Sequence, residues 1–207
     1  MKILAIETSC DDTGISILEV KGTKMPKFTV LSNIVSSQQI HQNYGGVFPM
    51  MAKREHQTNL VPVLVSALTR AKLVNSGHNT APGSAKSKIL NPKSRQVEDP
   101  RSQSGQIPNS KLQILKKILE KESTLFESVK KFLETHEKPD IDMIAITHGP
   151  GLEPCLWVGV NFAKALSYFW DIPVIPVNHI EAHIAVNFLP KINGNPGHKT
   201  APGYAKS

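Results

Sequence analysis

The chain has 207 residues, 40% of them apolar and 6% aromatic, enough to bury one substantial core. No run of eighteen apolar residues occurs, which excludes a membrane-spanning helix, and the formal charge of +7 is compatible with a nucleic-acid partner. Two cysteines, Cys10 and Cys155, are too few and too far apart for a disulfide framework and fit a reducing, cytoplasmic setting.

The opening MKILAIETSC carries a single Lys and meets an acid at Glu7, which makes a poor signal peptide and a good first strand. Residues 2–6 read as a short buried strand, and the alternation in 14–20 predicts a second. A third is expected at 28–37, then a glycine-containing loop at 41–49. A helix from about Lys53 to Lys72 follows, with Leu60, Val63, Leu64, Ala67, Leu68 and Ala71 on one face.

From Ser76 to Ser110 the composition changes, with twenty of these 35 residues being Gly, Pro, Ser, Asn or Gln. So polar a stretch cannot bury enough surface to offset its ordering entropy, and a disordered insertion is expected. It carries five Lys or Arg against two Asp or Glu, so it contributes +3 of the charge and weakens the charge as evidence. Helical patterning resumes at Lys111–Glu120 and Thr124–Thr135, and Pro139 ends it. A buried strand at 142–147 leads into Gly149-Pro150-Gly151, and an apolar helix is expected at about 156–170. Residues 173–177 predict a last strand, with a helix starting near His179.

Three strands in a meander, then helix, strand, helix, strand and helix, predict a mixed α/β sheet with helices on both faces. That is the pattern of the ribonuclease-H-like lobe of the actin/Hsp70/sugar-kinase superfamily. One lobe is expected over 1–190, interrupted at 76–110, with a tail at 191–207. Residues 77–87 and 197–207 match at nine of eleven positions, but neither copy has apolar positions to stack on a neighbour. The repeat is therefore not a structural unit.

His179 and His183 give the sharpest local signal for chemistry. At i, i+4 on a helix both imidazoles project from one face, where they can hold one metal ion or simply be two surface histidines. A zinc-protease reading fails, because Glu181 lies two positions after the first His, about 200° around the helix. The turn from Glu7 to Gly14 can hold phosphate oxygens through hydroxyls and N–H groups, with Asp11 free for a magnesium ion or a water. It can equally be a capped turn with solvated acids. Gly149 and Gly151 before a helix offer N–H groups to an anion, or form an ordinary strand-to-helix turn. Gly159 would allow close approach of that helix to the sheet. His41 and His56 flank the Gly45-Gly46 loop, and His56 can serve a site or cap a surface.

Four stretches together are more specific: IETSCDDTG at 6–14, HQNYGGVFPMMAKREH at 41–56, THGPGLEPCLWVGVNFAKAL at 147–166 and PVIPVNHIEAH at 173–183. In order and spacing they resemble the threonylcarbamoyladenosine synthase family of the TsaD/Gcp type. The resemblance implies the two-lobed actin/Hsp70-like fold and an acyltransferase. Such an enzyme moves threonylcarbamoyl from its adenylate to N6 of adenosine 37 in tRNAs that read codons beginning with A. It further implies that His179 and His183 are ligands of iron (Fe2+) or zinc, and that Glu7 and Asp11 face the nucleotide cleft. Gly149 and Gly151 are expected near the nucleotide. The implied partners are tRNA, threonylcarbamoyl-adenylate and the paralogous and ATPase subunits of a threonylcarbamoylation complex, with no membrane.

The sequence also departs from that family. The strand and S-G-G-H-T loop expected after the His179 helix are lacking, as is the second lobe with an Asp as third metal ligand. The chain therefore reads as a truncated or split transferase, inactive alone. The alternative is a non-catalytic partner subunit of the same complex, against which the two retained histidines argue. Ala182 stands where Gly is usual, and Cys155 where a small residue is.

Overall fold

The computed structural model describes residues 1–22, 24, 26–74 and 107–188. The tail at 191–207, both repeat copies and all but the last four residues of the expected insertion lie outside the described residues.

Five strands form one sheet: β1 (Lys2–Glu7), β2 (Asp12–Lys21), β3 (Lys27–Ser37), β4 (Met143–Gly149) and β5 (Val174–Asn178), in the order β3-β2-β1-β4-β5. The first three make the expected antiparallel meander, and β4 and β5 add to β1 in parallel. Gly22 follows β2 at φ 84°, a left-handed conformation that costs glycine no steric clash as the chain turns back.

Alternation decides which face is buried. Leu4 and Ile6 pair across with Ile17 and Ile15 on one side and with Ile144 and Ile146 on the other. All six are buried under two helices, α1 (Pro49–Arg70) and α4 (Glu153–Trp170). Above these lie α2 (Asn109–Ile118) and α3 (Ser123–Thr135), so the core runs from sheet through two tiers of helix. Residues of the opposite face, such as Ile3, Ala5, Met143 and Ile175, remain partly or largely exposed. The expected mixed sheet with helices is present, but its second helical layer is not among the described residues. α5 (His179–Ala185) packs against the ends of β4 and β5 and a following turn, with His179 reaching the end of β1. Among the described residues no helix is long and apolar enough to cross a membrane.

Helix ends differ from expectation for local reasons. α1 starts four residues early because Pro49 suits the first helical position, where its missing N–H is no loss. Proline does the same at the second position of α4, which starts at Glu153. Asn109 and Ser110, expected in the insertion, form the first residues of α2.

One buried ion pair escaped sequence inspection. Glu122 lies buried 3.6 Å from Lys53 of α1 and accepts from Asn161 Nδ2 of α4 at 3.3 Å. It joins three helices at one point.

Gly159 fixes how deeply α4 sits. A Cβ there would lie 2.2 Å from Thr8 Oγ1 and 3.1 Å from Ile146 Cδ1. Thr8 cannot swing away cheaply, since its hydroxyl donates to the Cys155 carbonyl at 3.0 Å in a buried setting. Gly159→Ala should therefore lower stability by about 1–3 kcal/mol through overpacking, despite the roughly 1 kcal/mol that alanine gains in a helix. Gly46→Ala, whose Cβ would meet nothing within 4 Å, is the control and should change stability by less than about 0.5 kcal/mol. Urea midpoints measure both, and equal midpoints would rule out the packing account.

Candidate functional site

β1, β4 and β5 run parallel, so their carboxyl ends open on the same edge, where ligands commonly bind in open α/β sheets. Glu7 ends β1, Thr147 and Gly149 lie at the end of β4, and Asn178 ends β5. Asn178 Oδ1 accepts from the N–H groups of Ile180 and Glu181 at 2.8 and 3.1 Å, capping α5. His179 is thereby the first residue of the helix, and His183 stands one turn above it. Their rings meet edge to face with centroids 4.5 Å apart, and their Nε2 atoms are 3.0 Å apart.

Behind this pair lies the Glu7 carboxylate. Its Oε1 accepts from the Ser9 N–H at 2.5 Å, and its Oε2 accepts from the Thr147 hydroxyl. His179 Nδ1 lies 3.4 Å from Oε2 and 3.2 Å from the Ser9 hydroxyl. Burial alone would raise the pKa of Glu7. The hydrogen bonds from Ser9, Thr147 and His179 outweigh it and hold the carboxyl below its ordinary range.

Asp11 is on the same turn but, among the described residues, takes no part in the hydrogen bonds around His179. Its carbonyl accepts from the Gln38 N–H at 3.0 Å. Burial and the adjacent Asp11 carboxylate both push the Cys10 thiol up, so it stays protonated. Burial also pushes the Cys155 thiol to about 11. Neither cysteine is an activated nucleophile.

Gly151 is where two backbones touch. A Cβ would fall 2.6 Å from the Ser9 carbonyl oxygen, and the Leu152 N–H donates to that same oxygen at 2.7 Å. Pro154 has no N–H, and the Cys155 N–H returns to the Leu152 carbonyl at 2.9 Å. These bonds use much of the N–H supply that the start of α4 could offer an anion. Gly149, at φ 149°, pairs with Asn178 across β4 and β5.

His41 and His56 do not reach the His179 pair; both are buried clamps. His56 Nε2 donates to the Cys10 carbonyl at 3.0 Å, so its Nδ1 accepts from the Thr13 hydroxyl at 2.8 Å. His41 Nε2 donates to Gln38 Oε1 at 2.8 Å and braces the loop carrying Gly45, which turns at φ 69°.

Comparison with known proteins adds to this geometry. The family described as "TsaD: tRNA N6-adenosine threonylcarbamoyltransferase" matches over residues 29–76 and 120–199. The chain belongs to this family. A tRNA N6-adenosine threonylcarbamoyltransferase of Christiangramia forsetii is 32% identical over 91% of this chain and 35% of its own length. One from Thermomicrobium roseum is 35% identical over 91% of this chain and 33% of its own. The chain thus spans about a third of the length of the relatives it matches. Among solved structures, YeaZ from Pseudomonas aeruginosa superposes with a TM-score of 0.40 at 14% identity, covering 90% of this chain and 49% of that one.

In this chain, sequence inspection found both histidines and Glu7 but not Ser9, Thr147 or Asn178. Asn before a short helix is a visible capping signal. The reach of Thr147 to Glu7, 140 residues apart, shows only when β1 and β4 pair.

His56 generates a pH-dependent prediction. Burial depresses its pKa below the ordinary 6.5, against the opposing pull of the Cys10 carbonyl and the carboxylates of Glu7, Asp11 and Asp12. The unfolded chain therefore binds a proton that the folded chain refuses. Stability should fall as pH drops below about 6.5, by at most about 1.4 kcal/mol per pH unit, and level off beneath the folded pKa. His56→Gln should remove that portion of the slope. Parallel stability curves for the two proteins between pH 7 and 5 would contradict the account.

Proposed function

We propose that this chain supplies two metal ligands and one wall of the acyl-adenylate cleft to a cytoplasmic tRNA N6-adenosine threonylcarbamoyltransferase. Its substrates in this reading are threonylcarbamoyl-adenylate and the N6 amine of adenosine 37 in tRNA. Family membership supports the activity, and the 3.0 Å separation of His179 Nε2 and His183 Nε2 carries the site.

That distance suits one shared ion. With metal–nitrogen bonds of about 2.1 Å, two ligands at a right angle stand about 3.0 Å apart. Two imidazoles suit iron(II) or zinc, while calcium and magnesium prefer oxygen. When bound, the ion supplies a Lewis acid for the acyl-adenylate carbonyl. The protein's own part is positional. Asn178 pins the first turn of α5, which sets the direction in which both Nε2 atoms point. Glu7, Ser9 and Thr147 form the floor behind them. Asp11 and the Gly149–Gly151 turn border the same edge of the sheet and would face the adenylate.

Among the described residues no group of three or more His, Cys, Asp or Glu forms a metal cage. We propose that a third ligand and the facing wall come from the remaining two thirds of the relatives' length. The paralogous and ATPase subunits of the complex would join there too.

Titration calorimetry with zinc tests the site. The 207-residue chain should bind one ion weakly, and His179→Ala with His183→Ala should reduce affinity more than tenfold. Unchanged affinity in the double variant would end the metal assignment. The same purified chain should form no threonylcarbamoyladenosine on tRNA from supplied threonylcarbamoyl-adenylate, because two imidazoles and one wall do not complete a site. Turnover would show that the described residues suffice.

A further inference from the structure

We propose that Glu7 is a positioning residue that accepts the Nδ1 proton of His179 and so leaves the Nε2 lone pair of His179 bare for the metal. The proposal rests on the metal reading above and goes beyond it, because it assigns a tautomer and a residue that sets it.

A neutral imidazole carries one N–H, and the ligand nitrogen must be the other one. Two groups face His179 Nδ1: Glu7 Oε2 at 3.4 Å and the Ser9 hydroxyl at 3.2 Å. The hydroxyl can donate or accept, so it does not choose a tautomer. The ionised carboxylate can only accept. Facing a nitrogen lone pair it would be repelled; facing an N–H it is attracted. The carboxylate therefore decides, and it places the proton on Nδ1.

Glu7 can do this because it is itself held. The Ser9 N–H grips Oε1 at 2.5 Å, and the Thr147 hydroxyl donates to Oε2. The anchors come from the turn that follows β1 and from β4 itself, both tied to the sheet. A freely rotating carboxylate would lose side-chain entropy on taking up the imidazole; this one is already fixed.

The second histidine completes the argument. Two Nε2 atoms 3.0 Å apart share either one proton or one cation. With His179 Nε2 bare, His183 must carry the Nε2 proton in the metal-free chain. His183 is thus the ring that changes tautomer on loading, while His179 is ready beforehand. Carboxylates behind ligating histidines commonly alter metal affinity 10- to 100-fold.

The test uses the full 207-residue chain with 15N-labelled histidine, long-range 1H–15N correlation, and zinc as probe. His179, assigned by its loss in His179→Ala, should show Nδ1–H, and His183 should show Nε2–H. Glu7→Gln should weaken zinc binding 10- to 100-fold. Its amide oxygen can keep the Ser9 N–H, which turns the NH2 toward His179 Nδ1 and drives the ring proton to Nε2. Thr147→Val keeps the carboxylate but loosens it, and should cost less affinity than Glu7→Gln. Nε2–H on His179 in the unsubstituted chain would overturn the proposal, whether or not Glu7→Gln folds. Zinc affinity lost in His179→Ala but kept within twofold in Glu7→Gln would overturn it too, leaving the metal reading intact. Zinc affinity unchanged in His179→Ala and His183→Ala would instead remove the metal reading, and the proposal with it.

Discussion

At Gly151 and Gly159 the backbone of the β4–α4 segment lies against Ser9 and Thr8 with no room for a Cβ. The other features of the site depend on that contact. It brings the end of β1 under the start of α4, so that the Ser9 carbonyl meets the Leu152 N–H and the Thr8 hydroxyl meets the Cys155 carbonyl. With the two segments locked, Thr147 of β4 stands within reach of Glu7 of β1, and Glu7 within reach of His179. A side chain at either glycine would spread these strands' ends and open the cluster. The glycines reside in one segment, and what they permit is a polar network that joins β1, β4 and α5.

Buried polar groups on the other flank obey the same economy. Thr13 faces the core where Ile15 and Ile17 continue the apolar stripe, and it would be a liability without a partner. His56 supplies one, and its second nitrogen satisfies the Cys10 carbonyl. Because one partner is a carbonyl, the ring's tautomer is fixed with no charge needed. The two histidine pairs of this chain therefore do opposite things. His41 and His56 are buried props sealed by their surroundings, while His179 and His183 point nitrogens at each other on an exposed helix.

Much of this was legible in the sequence where a pattern was local. The meander followed from alternation, the core of α1 from Leu60, Val63, Leu64, Ala67 and Leu68 at helical spacing, and the histidine pair from its i, i+4 step. Boundaries slipped where proline starts a helix, at Pro49 and Pro154, since periodicity sees apolar faces and not caps. The sequence also left His56 open between a site and a surface cap. Only the packing of α1 against β2 shows that it is neither, because its partners Thr13 and Cys10 lie more than forty residues away. Glu122 was hidden for the same reason, its partners Lys53 and Asn161 coming from two other helices.

The element that carries the histidines is also the least packed helix described. α5 is seven residues long, none of them buried, with Ile180 and Ile184 left 50% and 55% exposed. A helix of that length is marginal alone, since nucleation costs more than a few turns return. What holds it is the Asn178 cap below and the contact of His179 with Glu7 and Ser9. In the proposed reading an ion gripped by both imidazoles ties one turn of α5 to the next. Part of its binding free energy then goes into ordering the helix, and the measured affinity of this chain reports the difference. Weak zinc binding is therefore what such a helix should give even with the tautomer of His179 set in advance. Burial of Ile180 and Ile184 would strengthen binding without adding a ligand.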